Sequence, residues 1–237
     1  NWALALDELR RLLRSTTKAI ILNTPHNPTG YLMSRADFEA VNRFAQENNL
    51  ILFCDEVYRE SEYDPEQRLP AGCDMGEHAV SLGVTSKTYG LAGLRIGWIA
   101  TKNTNIYQSM ASLKDYTTIC NSAPSEFLAE VALRNRQKLV ARNLGIIKSN
   151  LEIIDDFITR HSSLFSWVRP AAGSMGFPKL LNGDVEDFCD GLVRKAGVLL
   201  LPGTLYDESH NHFRIGLGRK NLPQAVERLE AFIKDQS

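Results

Sequence analysis

The sequence predicts an α/β protein with a mostly parallel sheet flanked by helices and a smaller C-terminal α+β domain. Three observations lead to this class. Short apolar runs alternate with helical patterns in the first part of the chain, and polar residues follow these runs directly. In the last part, strand-like runs separated by Gly and Pro follow a long helical stretch. The 237 residues, 43% of them apolar, are enough for one large domain or two smaller ones.

Local patterns predict the elements of the first part in order. The stretch WALALDELRRLLRS has leucines at helical spacing, with acidic residues early and arginines late, which suits a helix dipole. The run AIIL at 19–22 is typical of a strand buried on both faces. Ser34 is a typical helix N-cap, and one apolar stripe runs through SRADFEAVNRFAQENN behind it. Further strands are predicted at 50–58, 79–87 and 94–100.

A helical pattern without many breakers covers 121–161, either as one long helix or as two with a break near Gly145. Short strand-like runs follow in WVRPAAGSMGFPKL, GVLLLPGTLY and HFRIGLG. The stretch LPQAVERLEAFIKDQ is predicted to be a closing helix. We therefore expect a large domain over residues 1–145 and a small C-terminal domain over residues 146–237.

Composition excludes several classes of function. The net charge of -1 gives no electrostatic reason to bind nucleic acid, and no apolar run approaches the length of a membrane span. The four cysteines are scattered without paired spacing, and no His/Cys cluster has the spacing of metal ligands. Free thiols in a reducing compartment favour a cytoplasmic protein with no bound metal.

Polar side chains follow three of the predicted strands. Asn27 lies in the turn NTPHNPTG, Asp55 ends the second strand, and Lys87 follows the third. Ligands of open α/β sheets bind beyond the carboxyl ends of the strands, so these residues predict a site there. The prolines restrict the backbone of the turn and would hold the Asn27 amide in one place. Behind Lys87, Gly90 and Gly93 are expected to allow close backbone approach or a positive φ.

Four motifs, in this order, resemble the fold-type I pyridoxal-phosphate (PLP) enzymes of the aspartate-aminotransferase-like (class I/II aminotransferase) family. The resemblance covers nearly the whole chain and implies the PLP-dependent transferase fold, with PLP as cofactor. It also implies a cis peptide bond between Asn27 and Pro28. The motifs are NPTG with Asn27, DEVY with Asp55 and Tyr58, SKTYGLAGLRIG with Lys87 and Arg95, and HFRIG with Arg214.

The resemblance implies roles around the cofactor ring. Lys87 would be the catalytic residue, holding PLP as a Schiff base and then serving as the proton-transfer base. Asp55 would stay ionised beside the protonated ring nitrogen, which makes the ring a better electron sink. Tyr58 and Asn27 would hydrogen-bond the phenolic oxygen of the cofactor, and Asn27 would also face the substrate.

The resemblance also implies two arginine sites for anions. Arg95 would bind the cofactor phosphate, and Arg214 would hold the α-carboxylate of the substrate in a bidentate pair. One position departs from the family pattern, because Val84 stands where the family usually has Ser or Gly. The phosphate-binding hydroxyl would then come from Thr85 or Ser86, or be missing.

The leading hypothesis is a PLP-dependent aminotransferase that moves the amino group of an L-amino acid to a 2-oxo acid. The resemblance implies a homodimer whose other partners are small molecules. One alternative is another PLP reaction on the same fold, such as β-elimination, decarboxylation or a cyclising replacement. A second is the aminotransferase-like sensor half of a transcription regulator. Family members begin with a segment that this sequence lacks, so we expect it to be a piece of a longer aminotransferase. Arg59 and Arg219 are available for a second substrate carboxylate.

Overall fold

The computed structural model describes residues 2–235, so the outer ends of the two predicted domains, residues 1 and 237, lie outside the described part. The α-helices are α1 (Leu6–Leu12), α2 (Arg35–Glu47), α3 (Thr104–Thr117), α4 (Ala123–Arg134), α5 (Arg136–Arg160), α6 (Val185–Ala196) and α7 (Leu222–Lys234). The strands are β1 (Ala19–Asn23), β2 (Ile51–Asp55), β3 (Ala79–Val84), β4 (Gly97–Thr101), β5 (Phe165–Ser166), β6 (Met175–Gly176), β7 (Lys179–Leu180), β8 (Leu201–Pro202) and β9 (Phe213–Gly216).

The main sheet has the strand order β1-β2-β3-β4. The first three strands are parallel and β4 is antiparallel, which confirms the expected mostly parallel α/β sheet. Helix α2 makes the crossover from β1 to β2, and its N-cap is Ser34, whose side chain accepts a hydrogen bond from the Asp37 N–H. The strand ends Asn23 and Asp55 are register partners, so the turns that leave β1 and β2 lie side by side.

Buried apolar side chains form two separate clusters. The N-terminal cluster joins α2 to the main sheet and consists of Ile20, Leu22, Met33, Phe38, Val41, Ala45, Leu50, Leu52, Cys54, Leu69 and Ala79. The C-terminal cluster consists of Ile147, Leu151, Ile154, Phe157, Ile158, Phe165, Leu180, Val185, Cys189, Leu192, Leu200, Phe213, Ile215, Leu217, Leu222, Val226, Leu229, Phe232 and Ile233. The two clusters support the predicted division into domains, which stays a prediction, and its boundary falls inside α5.

The helical stretch in the middle of the chain differs from expectation. It forms two helices that meet at Asn135, whose N–H caps the end of α4, whereas Gly145 lies inside the continuous helix α5. Helices α3 and α6 were not predicted at all. The run GVLLLPGTLY, predicted to be short strand-like structure, contains the two-residue strand β8 and a short 3-10 turn at 203–206.

Two absences hold for residues 2–235. No helix there is both long and apolar enough to cross a membrane. No group of three or more His, Cys, Asp or Glu side chains there is arranged to hold a metal ion.

Candidate functional site

The turn after β1 is tied to the end of β2 by Asn23. Its side-chain nitrogen donates to the backbone carbonyl of Asp55 at 3.2 Å, and its side-chain oxygen accepts from the Asn27 N–H at 2.8 Å. The Asn27–Pro28 bond is cis, which confirms the prediction, and Thr24–Pro25 is cis as well. Asn23 therefore fixes Asn27 relative to Asp55. The sequence alone did not mark Asn23, because its partner Asp55 becomes its neighbour only through the pairing of β1 with β2.

Asp55 is a half-buried carboxylate at the carboxyl end of β2. Burial raises the pKa of its carboxyl, and this effect is opposed by the Val57 N–H, which donates to Oδ1 at 3.2 Å, and by the charge of Lys87. Within the described residues, the second carboxylate oxygen accepts no hydrogen bond. The site thus holds an acceptor whose ionised form would gain from a cationic partner.

Lys87 and Tyr58 face each other across the site. The Lys87 Nζ lies 6.0 Å from the centroid of the Tyr58 ring. Burial raises the pKa of Tyr58, while the nearby positive charge of Arg214 lowers it. Within residues 2–235 neither the amine of Lys87 nor the hydroxyl of Tyr58 makes a hydrogen bond. Both groups are therefore uncommitted to other parts of the chain.

Arg214 connects the C-terminal part of the chain to the turn after β1. It lies in β9, and its Nη1 donates to the side-chain oxygen of Asn27 at 3.2 Å. Its guanidinium also lies over the ring of Tyr206, at 5.6 Å from the centroid. Tyr206 could not be selected from the sequence, because this contact joins the 3-10 turn at 203–206 to β9 and depends on the fold.

One open cleft of about 480 Å³ connects these residues. Four predicted site residues line it, namely Lys87, Tyr58, Ser86 and Arg214. Asp55 interacts with the first two through its charge, and Asn27 contacts Arg214. The structure therefore brings together six of the eight predicted site residues.

The remaining two predicted site residues, Thr85 and Arg95, do not line this cleft. Thr85 is fully buried and donates its hydroxyl to the carbonyl of Ile96 at 3.0 Å. Arg95 is exposed, has a φ of 56°, and donates to the carbonyl of Ala92 at 3.0 Å. Their assignment to a phosphate stays a prediction.

The two candidates for a second carboxylate differ in position. Arg59 lies away from the cleft, where it donates to Glu56 at 3.1 Å and to the carbonyl of Leu69 at 3.0 Å. Arg219 is exposed and lines the cleft that contains Lys87. Only Arg219 of these two could meet a ligand in the cleft.

The glycines behind Lys87 differ from each other. Gly90 has a φ of +71°, as expected for a residue in this turn. Gly93 has no positive φ and no atom within 4 Å of the position of an added Cβ, so of the two expected roles only close approach to a cofactor stays a prediction for it.

Comparisons with known proteins agree on one family. The family model for aminotransferase class I and II matches residues 1–229. Capreomycidine synthase of Streptomyces vinaceus is 26% identical over 89% of this chain and 54% of its own length. Aromatic-amino-acid aminotransferase 2 of Thermococcus litoralis is 26% identical over 100% of this chain and 62% of its own length.

Solved structures show the same similarity. A PLP-dependent aminotransferase from Streptococcus suis superimposes with a TM-score of 0.90 and 34% identity, over 99% of this chain and 62% of that one. The PLP-dependent cyclase OrfR superimposes with a TM-score of 0.88 and 29% identity, over 99% of this chain and 63% of that one. The chain thus spans less than two thirds of the length of these relatives.

Proposed function

This chain belongs to the class I and II aminotransferase family, and from that premise we propose that the protein carrying it is a PLP-dependent aminotransferase. It would move the amino group of an L-amino acid to a 2-oxo acid. The observation that carries the proposal is the convergence of Lys87, Tyr58 and Arg214 on one cleft, beside Asp55. We include the homodimer in this proposal because the family resemblance implies it.

The chemistry of the side chains fits PLP. The Lys87 amine, the Tyr58 hydroxyl and one Asp55 carboxylate oxygen make no hydrogen bond within the described residues. These groups match, in that order, the aldehyde, the phenolic oxygen and the ring nitrogen of the cofactor. Lys87 would hold the aldehyde carbon, Tyr58 and Asn27 the phenolic oxygen, and Asp55 the ring nitrogen. Ser86 lines the cleft whereas the Thr85 hydroxyl is buried and donates to Ile96, so Ser86 rather than Thr85 would bind the phosphate together with Arg95. When bound, PLP supplies an aldehyde that condenses with amines and a ring that withdraws electrons from the substrate Cα.

The residues of the chain would supply orientation and proton transfer. Arg214 would bind the substrate carboxylate with its planar fork, and its hydrogen bond from Nη1 to Asn27 orients that fork. Lys87 Nζ would take the proton from the substrate Cα, since an amine in reach of the reacting atom can act as a general base. The Asp55 carboxylate would favour the protonated ring nitrogen through its charge.

The test is spectroscopic. We expect the purified protein to develop a visible absorption band with PLP, to lose it on borohydride treatment, and to carry the pyridoxyl adduct on Lys87 in a peptide map. Lys87→Arg, which keeps the charge but cannot form the adduct, should lose the band. Lys102→Ala is the control, because Lys102 is an exposed lysine paired with Asp74. A band that survives in Lys87→Arg would overturn the assignment.

A second candidate is a cyclising PLP reaction on the same fold. It is favoured by the similarity to capreomycidine synthase and to the cyclase OrfR. Product analysis separates the two candidates, because transamination yields a 2-oxo acid and an aminated acceptor from each turnover. If the product is a single ring-closed amino acid that forms without an amino-group acceptor, the cyclising reaction is correct and transamination is not.

A further inference from the structure

Helix α5 contacts the turn that carries Lys87. The side-chain nitrogen of Asn143 donates to the carbonyl of Thr88 at 2.9 Å, and Asn143 itself lines the cleft. A Cβ added to Gly90 would lie 3.1 Å from the same nitrogen, so the turn packs closely against the helix at this point. Asn143 is therefore a direct contact between α5 and the residue that follows Lys87.

Two turns further along, α5 contacts the segment that leaves β9. The side-chain nitrogen of Asn150 donates to the carbonyls of Leu217 at 2.7 Å and Arg219 at 2.8 Å. Asn150 is only 4% exposed, and both of its N–H groups are used in these bonds. Leu217 follows directly after β9, which carries Arg214. Asn150 therefore fixes the chain close to Arg214.

The two asparagines lie on one face of a rigid element. Seven residues separate them, which is about two helical turns and a rise of about 10 Å. Asparagine is a poor residue for a helix interior, because its side chain competes for backbone hydrogen bonds. Here both side chains bond to other elements instead, so tertiary contacts explain why they stand in the helix.

We propose that Asn143 and Asn150 are positioning residues that set the spacing between Lys87 and Arg214. Asn143 holds the turn of the amine that would bind the cofactor, and Asn150 holds the strand whose arginine would bind the substrate carboxylate. The helix transmits the spacing because α5 runs unbroken between the two contacts. The inference rests on the proposed function, since it concerns how the two groups of that site are placed.

The first test concerns Asn143. The variants are Asn143→Ala and Asn143→Asp, which keeps the shape but removes the N–H donor. Gln137→Ala is the matched control, because Gln137 is an exposed amide on the same helix with no side-chain hydrogen bond among residues 2–235. Because one hydrogen bond is worth roughly a factor of two to ten, we expect PLP affinity to fall about fivefold in both Asn143 variants. The pH midpoint of the visible PLP band should also shift, because the amine is displaced.

The second test concerns Asn150. In Asn150→Ala we expect the KM for the amino acid to rise about fivefold to tenfold, with PLP affinity and the pH midpoint of the band unchanged. If this variant does not fold, Asn150→Ser provides a smaller change at the same position. A merely structural role would lower thermal stability in both asparagine variants without separating the two readouts.

The outcomes distinguish this inference from the proposed function. A parent protein without a PLP band on Lys87 would contradict the proposed function, and this inference with it. A parent protein with the band, but Asn143 variants that match Gln137→Ala in affinity and pH midpoint, would overturn the inference alone. The inference alone would also be overturned if Asn150→Ala lowered PLP affinity as strongly as Asn143→Ala does.

Discussion

Asp55 combines a functional position with surroundings that disfavour its charge. Burial raises the pKa of its carboxyl above the ordinary value, so the ionised form is less favourable in the folded than in the unfolded chain. Well below the ordinary pKa the group is protonated in both states and there is no penalty. As the pH rises through the folded pKa, ionisation lowers the stability of the folded protein.

The variant Asp55→Asn should therefore be more stable than the parent at neutral pH when PLP is absent. The gain should shrink as the pH falls to the ordinary range of an aspartate, because the parent is then neutral as well. Thermal unfolding between pH 3 and pH 8 measures this difference. A stability gain that is the same at every pH would contradict this explanation.

In the presence of PLP, the activity of Asp55→Asn should fall by about 100-fold or more, since the fixed negative charge beside the cofactor ring is lost.

The variant Arg214→Lys tests whether the site needs the planar donor geometry of the guanidinium or only its positive charge. Arg214→Lys keeps the positive charge but loses the planar pair of donors, and with it the bond from Nη1 to Asn27. Hydrogen bonds to charged groups are worth about 1.5–3 kcal/mol, so we expect kcat/KM to fall about 10- to 100-fold. Steady-state kinetics measure it, with Arg228→Lys as the control on α7. Unchanged kinetics in Arg214→Lys would show that charge alone is sufficient.

Single residues were predictable from sequence where a local motif marks them. Lys87, Asp55 and Arg214 were selected because their motifs resemble those of a known family, and in the structure Lys87 and Arg214 line one cleft while Asp55 interacts with Lys87 through its charge. Asn23 and Asn143 were not predictable. Their side chains bond to backbone groups 32 and 55 positions away, and no local pattern records such a partner.

At the scale of elements, the turn after β1 depends on Gly30. Its φ is +67°, and an added Cβ would lie 2.3 Å from the Cβ of Pro170. Its carbonyl also accepts from the N–H groups of Ala171 and Ala172, which joins the turn to the segment before β6. A side chain at Gly30 must therefore push apart two parts of the chain that the site requires together.

We expect Gly30→Ala to lower the free energy of unfolding by at least about 2 kcal/mol, since the positive φ alone costs about 1–2 kcal/mol. Gly93→Ala is the matched control, because Gly93 has ordinary φ and open space around it. Urea unfolding of the two variants measures the difference. Equal stabilities would show that the turn shifts without resistance.

The helices that were missed have different physical causes. Helix α6 has Asp184 as a side-chain N-cap and Gly197 in the left-handed conformation at its end, and both are helix signals that the sequence contains. Helix α3 has Ile106, Met110 and Leu113 at helical spacing, a pattern that predicts a helix, although none of its residues is buried in the structure. The break at Asn135 between α4 and α5 could not be predicted from residue type, since α5 itself contains the interior asparagines Asn143 and Asn150.

At the scale of the molecule, the order of the strands in the sheets could not be predicted from the sequence. Alternating patterns predicted which segments become β1, β2 and β3, and that parallel strands would be joined by a helix. The antiparallel direction of β4 and the short sheets of the C-terminal part depend on pairings between distant segments. Such pairings follow from the packing of the whole chain rather than from any window of it.

The two hydrophobic clusters predict how the molecule opens. Leu192 in α6 and Val41 in α2 are both 0% exposed, and each belongs to a different cluster. Leu192→Ala should remove about 3 kcal/mol and Val41→Ala about 2 kcal/mol of packing free energy, because the cavities relax only in part. If the clusters are separate cooperative units, each loss stays within its own cluster.

Amide hydrogen exchange measures where that loss appears. In Leu192→Ala we expect faster exchange in α6, α7 and the C-terminal half of α5, with β1, β2 and β3 still protected. In Val41→Ala the order should reverse, with α2 and the main sheet exchanging faster. Equal acceleration of both regions by either variant would mean that the molecule opens as one unit, and that the boundary predicted at 145 and 146 separates nothing. A separate response of the two clusters would instead support the predicted boundary, and α5, which crosses it, would be the continuous element that joins the two cooperative units.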